Sequence, residues 1–457
     1  MKITFIRPNI FDGRLDSAME VLAFAILKAL TPPDVETELY DERLEEIPYD
    51  LQTDLVAITV ETFTARRAYQ IAENFRRRGI PVVMGGFHPT MLPGEASLFA
   101  DAVVVGDAEG VWSEIVADAR LGRLKPIYKS DGFLPIDDVR LDRSIFDGKS
   151  YAPIKLIQWS RGCRFNCSFC AIRGFYGSSL RKRPVQKIVE EIKEIRPRLV
   201  LFVDDNIFYD TESAKELMRA LIPLKILWCC QVSIDVTRDP ELLDLMQRSG
   251  CMLAIVGLET IDRSNLRQMR KEWNVKWVEY ETAIKRFQDH GIMMYGTFVL
   301  GWDHDNPEVF DKTVEFAIRH KFTLSGFNPL MPTPGTKTYN DLRENGQLLY
   351  EKWWVDPDYK YGQAVFKPAQ MTVEEFTEGC FRARKKFSSL GSILTRATEP
   401  KSVLSSPFRM LSFAVSNRIL YKEIYAKQFS QFGAVEDFDP YDRIMAAERS
   451  NMALHAQ

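Results

Sequence analysis

The sequence predicts an α/β chain in three parts: an open parallel sheet, a partial (β/α)6 barrel of the TIM kind, and a mainly helical C-terminal region. Three observations lead there. Short apolar runs alternate with segments of helical periodicity, once before residue 120 and again from 155 to 328, which is the strand–helix alternation of parallel sheets. Glycines and polar residues fall directly after the apolar runs, where such sheets and barrels carry ligands. Beyond about residue 336 the strand pattern stops and long helical stretches follow. The expected parts are residues 1–125, a connection over 126–153, a core over 154–335 and a helical region over 336–457.

Composition narrows the class. A chain of 457 residues has room for two or three domains. Its 46% hydrophobic and 27% charged residues are ordinary for a soluble protein. A net charge of −3 offers no positive excess to neutralise phosphates, so no nucleic-acid partner is expected. The best apolar runs, LAFAILKAL and LVAITV, fall well short of the roughly 18 residues of a spanning helix, so no transmembrane segment is expected. MKITFIRP reads as a first strand rather than a signal peptide. Seven cysteines, an odd number with three clustered, point to a reduced compartment, read as cytoplasmic, rather than a disulfide framework.

The first part opens with a strand over Lys2–Ile6 and a helix over Ala18–Leu30, stopped by Pro32 and Pro33. Strands follow at Glu36–Tyr40 and Leu55–Val60, the latter apolar enough to be a buried central parallel strand. A helix over Thr64–Arg78, strands at Pro81–Met84 and Ala102–Val105, and a helix over Val111–Ala119 complete the alternation. VVMGGFHPT puts Gly85 and Gly86 directly after one strand, and VVVGDAEG puts Gly106 and Gly110 after the next. Glycine there lets the backbone approach a flat or phosphate-bearing ligand. A single Gly-Gly would be explained by a tight turn. Two adjacent glycine-bearing strand ends, with Thr59 and Glu61 in TVET, favour a ligand. No G-x-G-x-x-G is present, so a dinucleotide is poorly supported.

After the polar, proline-punctuated connection, a strand begins near Lys155, with further strands at Leu199–Val203, Lys225–Gln231, Met252–Gly257, Met294–Leu300 and Leu324–Asn328. Helices are expected at Pro184–Ile195 and near 211–221, 240–248, 275–289 and 307–319. Directly after the first strand, WSRGCRFNCSFC sets Cys163, Cys167 and Cys170 at spacings of four and three. Three thiolates leave one iron of a four-iron cubane without a protein ligand, open to a small molecule. Zinc would need a fourth donor, and Gly162 to Phe175 offers no histidine, aspartate or glutamate. Asp204, Asp205 and Asn206 follow the second strand, Gln231 and Ser233 end the third, Glu259 and Thr260 end the fourth, and Gly301 ends the fifth. Helix capping accounts for about half of such residues. Their repetition around one rim points to a site.

These motifs resemble the cobalamin-binding radical SAM enzymes over about residues 1–335. The GG-x-H-P-T and G-x-x-E signatures of that family's first domain are present as Gly85, Gly86, His88, Pro89, Thr90, Gly106 and Glu109. The C-x3-C-x2-C motif is specific to the superfamily and nearly silent on substrate. The resemblance implies a Rossmann-like domain with cobalamin over its sheet edge, the nucleotide tail between strand ends. It also implies a [4Fe-4S] cluster on Cys163, Cys167 and Cys170, with S-adenosylmethionine (SAM) chelating the fourth iron. Phe169 would pack near adenine, and Gly296 to Gly301 would lie along it. Asp204 and Asp205 occupy the G-G-E position that meets the methionine amine, Glu259 would bind ribose, and Gln231 and Ser233 share the rim. D-x-H-x-x-G is absent, so no protein histidine on cobalt is expected, and His88 belongs to another signature.

The activity implied is methylation of an unactivated carbon on a small-molecule substrate, hydrophobic or planar, such as a tetrapyrrole or a lipid. An external one-electron reductant such as flavodoxin or ferredoxin would drive it. A cyclase, oxidase or rearrangement enzyme with the same cofactors, a SAM-only enzyme with a scaffolding first domain, and a cobalamin- or redox-responsive binding protein stay open. Methylthiotransferases fit poorly, because their additional N-terminal cysteines are absent.

In the last part, MTVEEFTEGCFRARKKF reads as a helix opened by Thr372, with Glu374 and Glu375 in its first turn. FRMLSFAVSNRILYKEIYAKQF reads as an amphipathic helix with a positive face; packing on the barrel is favoured over peripheral membrane contact by about two to one. Trp353, Trp354, Tyr359 and Tyr361 either line a pocket for a planar or greasy substrate or form a core corner, with no preference between the two. Cys380 stands alone here, so no auxiliary cluster is expected, and Cys229, Cys230 and Cys251 fit buried core positions.

Overall fold

The computed structural model describes residues 1–455 apart from Asp16, Asp131, Trp277 and Val278. Strand β1 (Lys2–Arg7) lies between β2 (Glu36–Asp41) and β3 (Leu55–Thr59), with β4 (Val82–Gly85), β5 (Ala102–Val105) and β6 (Ile127–Lys129) following outward. Every pairing in this β2-β1-β3-β4-β5-β6 sheet is parallel. The order reverses between β1 and β3, the switch point beyond whose carboxyl ends such sheets hold ligands. The expected helix over Ala18–Leu30 starts at Leu22. The Ala18 carbonyl is taken by the Ala152 amide at 2.8 Å instead of a helical partner. Strand β6 falls inside the stretch read as a connection. Its three residues are too short for a periodic signal, and only Tyr128 is buried. The same stretch buries Ile145 and Phe146 against Phe24 and Trp112 under the first sheet.

The second sheet begins with β7 (Lys155–Ile157). A small antiparallel ladder, β8 (Ser160–Arg161) with β9 (Arg181–Lys182), brackets the cysteine loop. Strands β10 (Leu199–Phe202), β11 (Leu227–Val232), β12 (Cys251–Glu259), β13 (Met293–Leu300) and β14 (Leu324–Pro329) complete six parallel strands in the order β14-β13-β12-β11-β10-β7. Helices Val185–Ile195, Thr211–Leu221, Pro240–Arg248, Tyr280–Asp289 and Val309–Arg319 connect them. Residues 277 and 278 of the helix expected over 275–289 lie outside the described residues.

The two sheets share one apolar core with the segment after residue 350. Trp353, Trp354 and Tyr359 are fully buried in it, which makes them a core corner rather than a pocket wall. Their polar atoms explain how they stay there: Trp354 Nε1 donates to Glu95 at 2.8 Å and Trp353 Nε1 to the Pro332 carbonyl at 2.9 Å. The helix Val373–Phe387 opens on the expected residue. Glu375 N donates to Thr372 Oγ1 at 3.1 Å, and Thr372 N to the Glu375 carboxylate at 2.9 Å. Among the described residues, no helix is long and apolar enough to cross a membrane.

Candidate functional site

The cysteine loop is set by the two carboxylates after β10. Gly162 N donates to Asp205 Oδ2 at 2.8 Å, and Asp204 accepts from the Trp159 amide at 3.2 Å and from both the amide and hydroxyl of Ser160. Both carboxylates hold the loop backbone; the resemblance puts this strand end in the region that meets the methionine amine and leaves open which carboxylate or carbonyl acts there. Burial pushes the Asp204 carboxyl up to about 7, against the pull of these donors, and raises Asp205 as well. Gly162 has φ +96°, and a Cβ there would lie 2.1 Å from the Ser179 carbonyl oxygen, so the turn into Cys163 accepts only glycine. Replacing Asp204 by alanine leaves three buried donors without an acceptor. The expected cost is about 3 kcal/mol, read as an earlier transition on chemical denaturation, with Asp204→Asn losing less because one acceptor remains.

Cys163, Cys167 and Cys170 are free, half-buried thiols, and Cys170 N donates to the Cys167 carbonyl at 3.2 Å. The helix Ala171–Tyr176 starts at once after them. Burial raises all three thiols, Cys167 to about 12, with the Lys271 ammonium opposing it. Among the described residues, no three His, Cys, Asp or Glu side chains converge on a single ion. A cubane instead takes its thiolates on separate irons, so a three-thiol set with no further protein donor fits a [4Fe-4S] cluster with one open iron.

Facing the thiols is a buried pair that sequence reasoning half missed. Lys271 Nζ lies 2.6 Å from Glu259 Oε1, with both side chains under a tenth exposed. Glu259 sits in the left-handed region at φ +66°, a strained conformation for a side chain of that size. Burial works against the Lys271 charge, but Glu259 and the Cys167 and Cys170 thiols raise its pKa overall. Lys271 follows Glu259 by twelve residues in an aperiodic polar stretch, so nothing in the sequence singled it out.

The other rim residues divide. Asn206 Nδ2 donates to Ser233 Oγ at 3.1 Å, and Gln231 is exposed at the barrel mouth. Phe169 stands edge-on to Trp302 at 5.7 Å, half-buried beside the last cysteine. Gly296 and Gly301 are not placed along an open face. A Cβ at Gly296 would lie 2.3 Å from the Phe322 ring, which makes it a packing glycine. Gly301, at φ +107°, donates its N–H to Asp305 at 2.8 Å and sits beneath the Phe376 ring.

A cavity of about 340 Å³ lies between the first sheet and the barrel. Thr59, Gly85, Gly86, Gly106 and Glu109 line it from the sheet edge. Leu22, Ile26 and Trp112 form its apolar depth, and Gln158, Arg161, Phe175 and Tyr176 close it from the cysteine-loop side. Thr90 does not line the cavity but ties its strand ends together: its hydroxyl donates to the Gly86 carbonyl at 2.8 Å and accepts from Gly106 N at 3.0 Å. Arg161 pairs with Glu109 at 2.6 Å and Asp107 at 3.3 Å, joining the two halves beside the cavity.

Three residues assigned to cofactor binding lie elsewhere. His88 is fully buried, with Nε2 3.0 Å from Tyr69 Oη and 3.2 Å from Glu95, and Pro89 is buried beside it. Both belong to the core behind the strand end. Glu61 pairs with Arg7 at 3.2 Å at the surface.

Gly86 has φ +107° and ψ −163°, a region open only to glycine, and a Cβ there would lie 3.0 Å from the Val60 carbonyl oxygen. Gly86→Ala is expected to destabilise the chain by about 1–3 kcal/mol, seen as a lowered denaturation midpoint. The glycine edge and the apolar slot behind it fit a flat ring with an appended tail.

Comparison with known proteins identifies the class to which this cysteine-bearing partial barrel belongs. The Radical SAM superfamily model matches residues 157–317. The chain is 30% identical over 369 residues to the bacteriochlorophyllide d C-12(1)-methyltransferase of Chlorobaculum tepidum, covering 78% of this chain and 80% of that one. It is 31% identical over 354 residues to the bacteriochlorophyllide d C-8(2)-methyltransferase of the same organism, covering 73% and 78%. The chain belongs to the radical SAM superfamily and is an enzyme of it. The same fold is seen in the radical SAM methyltransferase TsrM from Kitasatospora setae, solved with cobalamin and a [4Fe-4S] cluster, at a TM-score of 0.63 and 16% identity over 93% of this chain and 99% of that one. The cobalamin-dependent enzyme OxsB shares it at a TM-score of 0.66 and 11% identity, over 100% of this chain and 80% of that one.

Proposed function

We propose that this chain is a cobalamin-dependent radical SAM C-methyltransferase that methylates an unactivated carbon of a planar or hydrophobic small molecule, with tetrapyrroles the favoured class. The observation that carries the reading is the cavity lined jointly by the glycine edge of the first sheet and by the flank of the cysteine loop. A reactive carbon species and a methyl donor must meet one substrate without crossing solvent, and a cavity shared by the two parts supports that reading.

Bound together, the cluster, SAM and cobalamin supply radical hydrogen abstraction and a transferable methyl group. The chain supplies placement. Cys163, Cys167 and Cys170 would hold the cluster, and Asp204 and Asp205 fix their loop. Lys271 offers a buried cation beside the thiols for the carboxylate of SAM, and Glu259 reaches its polar half. Gly85, Gly86 and Gly106 leave the sheet edge open and, with the slot at Leu22, Ile26 and Trp112, would hold the cobalamin. The tetrapyrrole preference rests on the two bacteriochlorophyllide relatives. A flavodoxin or ferredoxin is the reductant expected for such chemistry.

The test is turnover of candidate tetrapyrroles with methyl-labelled SAM and a mass measurement of the product. One labelled methyl gained, with S-adenosylhomocysteine and 5′-deoxyadenosine both formed, supports the reading. Ring closure or hydrogen loss with no labelled methyl retained overturns it in favour of cyclisation. That is the activity named for relatives 24% identical over 85% of this chain, the anaerobic magnesium-protoporphyrin IX monomethyl ester cyclases.

A further inference from the structure

The helix Pro407–Lys427 is apolar on the wrong side. Phe413 and Ile424 bury inward, and three polar side chains turn inward with them. Asn417 is buried and donates to the Thr323 carbonyl at 3.2 Å, Glu423 accepts from Ser17 at 3.1 Å, and Arg409 reaches the Gly291 carbonyl. Its outward half carries Phe408, Leu411, Val415, Ile419 and Tyr425, each between 38% and 62% exposed. A surface helix ordinarily does the reverse, and one apolar all round is normally covered on both sides. The exposure is concentrated as well. Of eighteen large apolar side chains exposed among the described residues, eleven lie between residues 390 and 429, including Leu390 at 72% and Leu394 at 60% on the neighbouring helix Leu390–Ala397. Exposed apolar side chains concentrated on two adjoining helices are the mark of an interaction surface.

The packing fixes this orientation. Arg396 is fully buried and donates to the carbonyls of Phe322, Thr323 and Phe387 and to Asn417 Oδ1, with its guanidinium 3.8 Å from the Phe387 ring centre. Turning the helix to hide its apolar half would break the Asn417 contacts to Arg396 and to the Thr323 carbonyl.

The charges on the patch select what covers it. The outward half has only two charged residues, Arg418 and Lys422, both cationic. The acidic residues of the stretch are spoken for: Glu399 accepts from Ser402, and Glu423 pairs with Lys427. Tyr421 and Tyr425 add amphipathic rings of the kind that sit at headgroup level. A second copy of the chain would bring like charges together. We propose that the outward face of helices Leu390–Ala397 and Pro407–Lys427 docks on a bilayer surface bearing anionic headgroups. The apolar side chains enter the acyl boundary, and Arg418 and Lys422 meet the headgroups. This surface stands independently of the reaction proposed above.

Flotation of the full-length, anaerobically purified protein with vesicles tests it. One vesicle type is phosphatidylcholine, the other an equal mixture with phosphatidylglycerol. The protein is expected to float with the anionic vesicles, about tenfold less with the neutral ones, and progressively less as salt rises. Leu411→Glu with Val415→Glu is expected to abolish flotation, and Arg418→Glu with Lys422→Glu to weaken binding to anionic vesicles roughly tenfold or more, both with unchanged thermal unfolding. Failure to float with either vesicle overturns the proposal. So does a dimer in light scattering that the Leu411→Glu, Val415→Glu variant dissolves, which would make the face a contact between copies. If either variant unfolds, the headgroup and salt dependence of the unaltered protein decides alone.

Discussion

Anaerobically purified protein is expected to be brown, to carry about four irons and to cleave SAM, and the variant with Cys163, Cys167 and Cys170 all replaced by alanine to do none of these. The loss is read as chemistry because the loop is held by groups the variant keeps: the Asp205 bond to Gly162, the Asp204 bonds to Trp159 and Ser160, and the ladder of Ser160–Arg161 with Arg181–Lys182. The thiols are only half-buried, and removing three of them opens no deep cavity. Thermal unfolding within a few degrees of the parent, together with loss of iron and of 5′-deoxyadenosine, is the expected pair of measurements. A triple variant that keeps its full iron complement would overturn the assignment. One zinc per parent chain in place of iron would convert the loop to a structural metal site.

What the sequence made legible was position along the chain. What it hid was the direction of side chains. The strand Ala102–Val105 and the helices Thr211–Leu221 and Pro240–Arg248 lie where apolar periodicity set them, because each buries one face on a neighbouring layer. The cysteine loop lies directly after the first strand of the second sheet, where the alternation set it. His88 shows the limit. It stands two residues from a glycine that lines the cavity, yet the short helix Phe87–Met91 turns its ring inward to Tyr69 and Glu95. Gly296 shows it again, since a glycine on a strand is written alike whether it faces a ligand or a Phe322 ring. Asp204 and Asp205 were placed correctly at the strand end, but which way a carboxylate points depends on backbone donors brought from another loop. The helix Pro407–Lys427 reads as amphipathic with a positive face, and the cations Arg418 and Lys422 do lie outward, among exposed apolar side chains. Periodicity gives a helix two faces without saying which one the barrel takes, and Arg396 and Asn417 decide it.

Replacing Lys271 by methionine is expected to weaken SAM binding at least about 100-fold, roughly 2.7 kcal/mol, while the cluster stays in place. Lys271 is a buried cation that acts on all three thiols; burial opposes its charge, and Glu259, Cys167 and Cys170 raise its pKa overall. Removing it acts on stability too. Glu259 would be left buried without its partner at 2.6 Å, and breaking such a pair from one side costs about 3–5 kcal/mol. The two effects are separable. Glu259→Gln combined with Lys271→Met removes both charges, and replacing a whole buried pair by neutral groups is close to neutral for stability. The double variant is therefore expected to regain most of the lost unfolding midpoint without regaining SAM affinity, a coupling that a double-mutant cycle reads directly. Iron content and the cluster's absorbance control for the cysteines, and equilibrium binding of SAM to the reduced-iron-free chain and to the cluster-loaded chain separates the cation's contribution from the iron's. Wild-type SAM affinity in the Lys271→Met chain, with lowered stability, would reduce Lys271 to the partner that keeps the strained Glu259 in place at φ +66°.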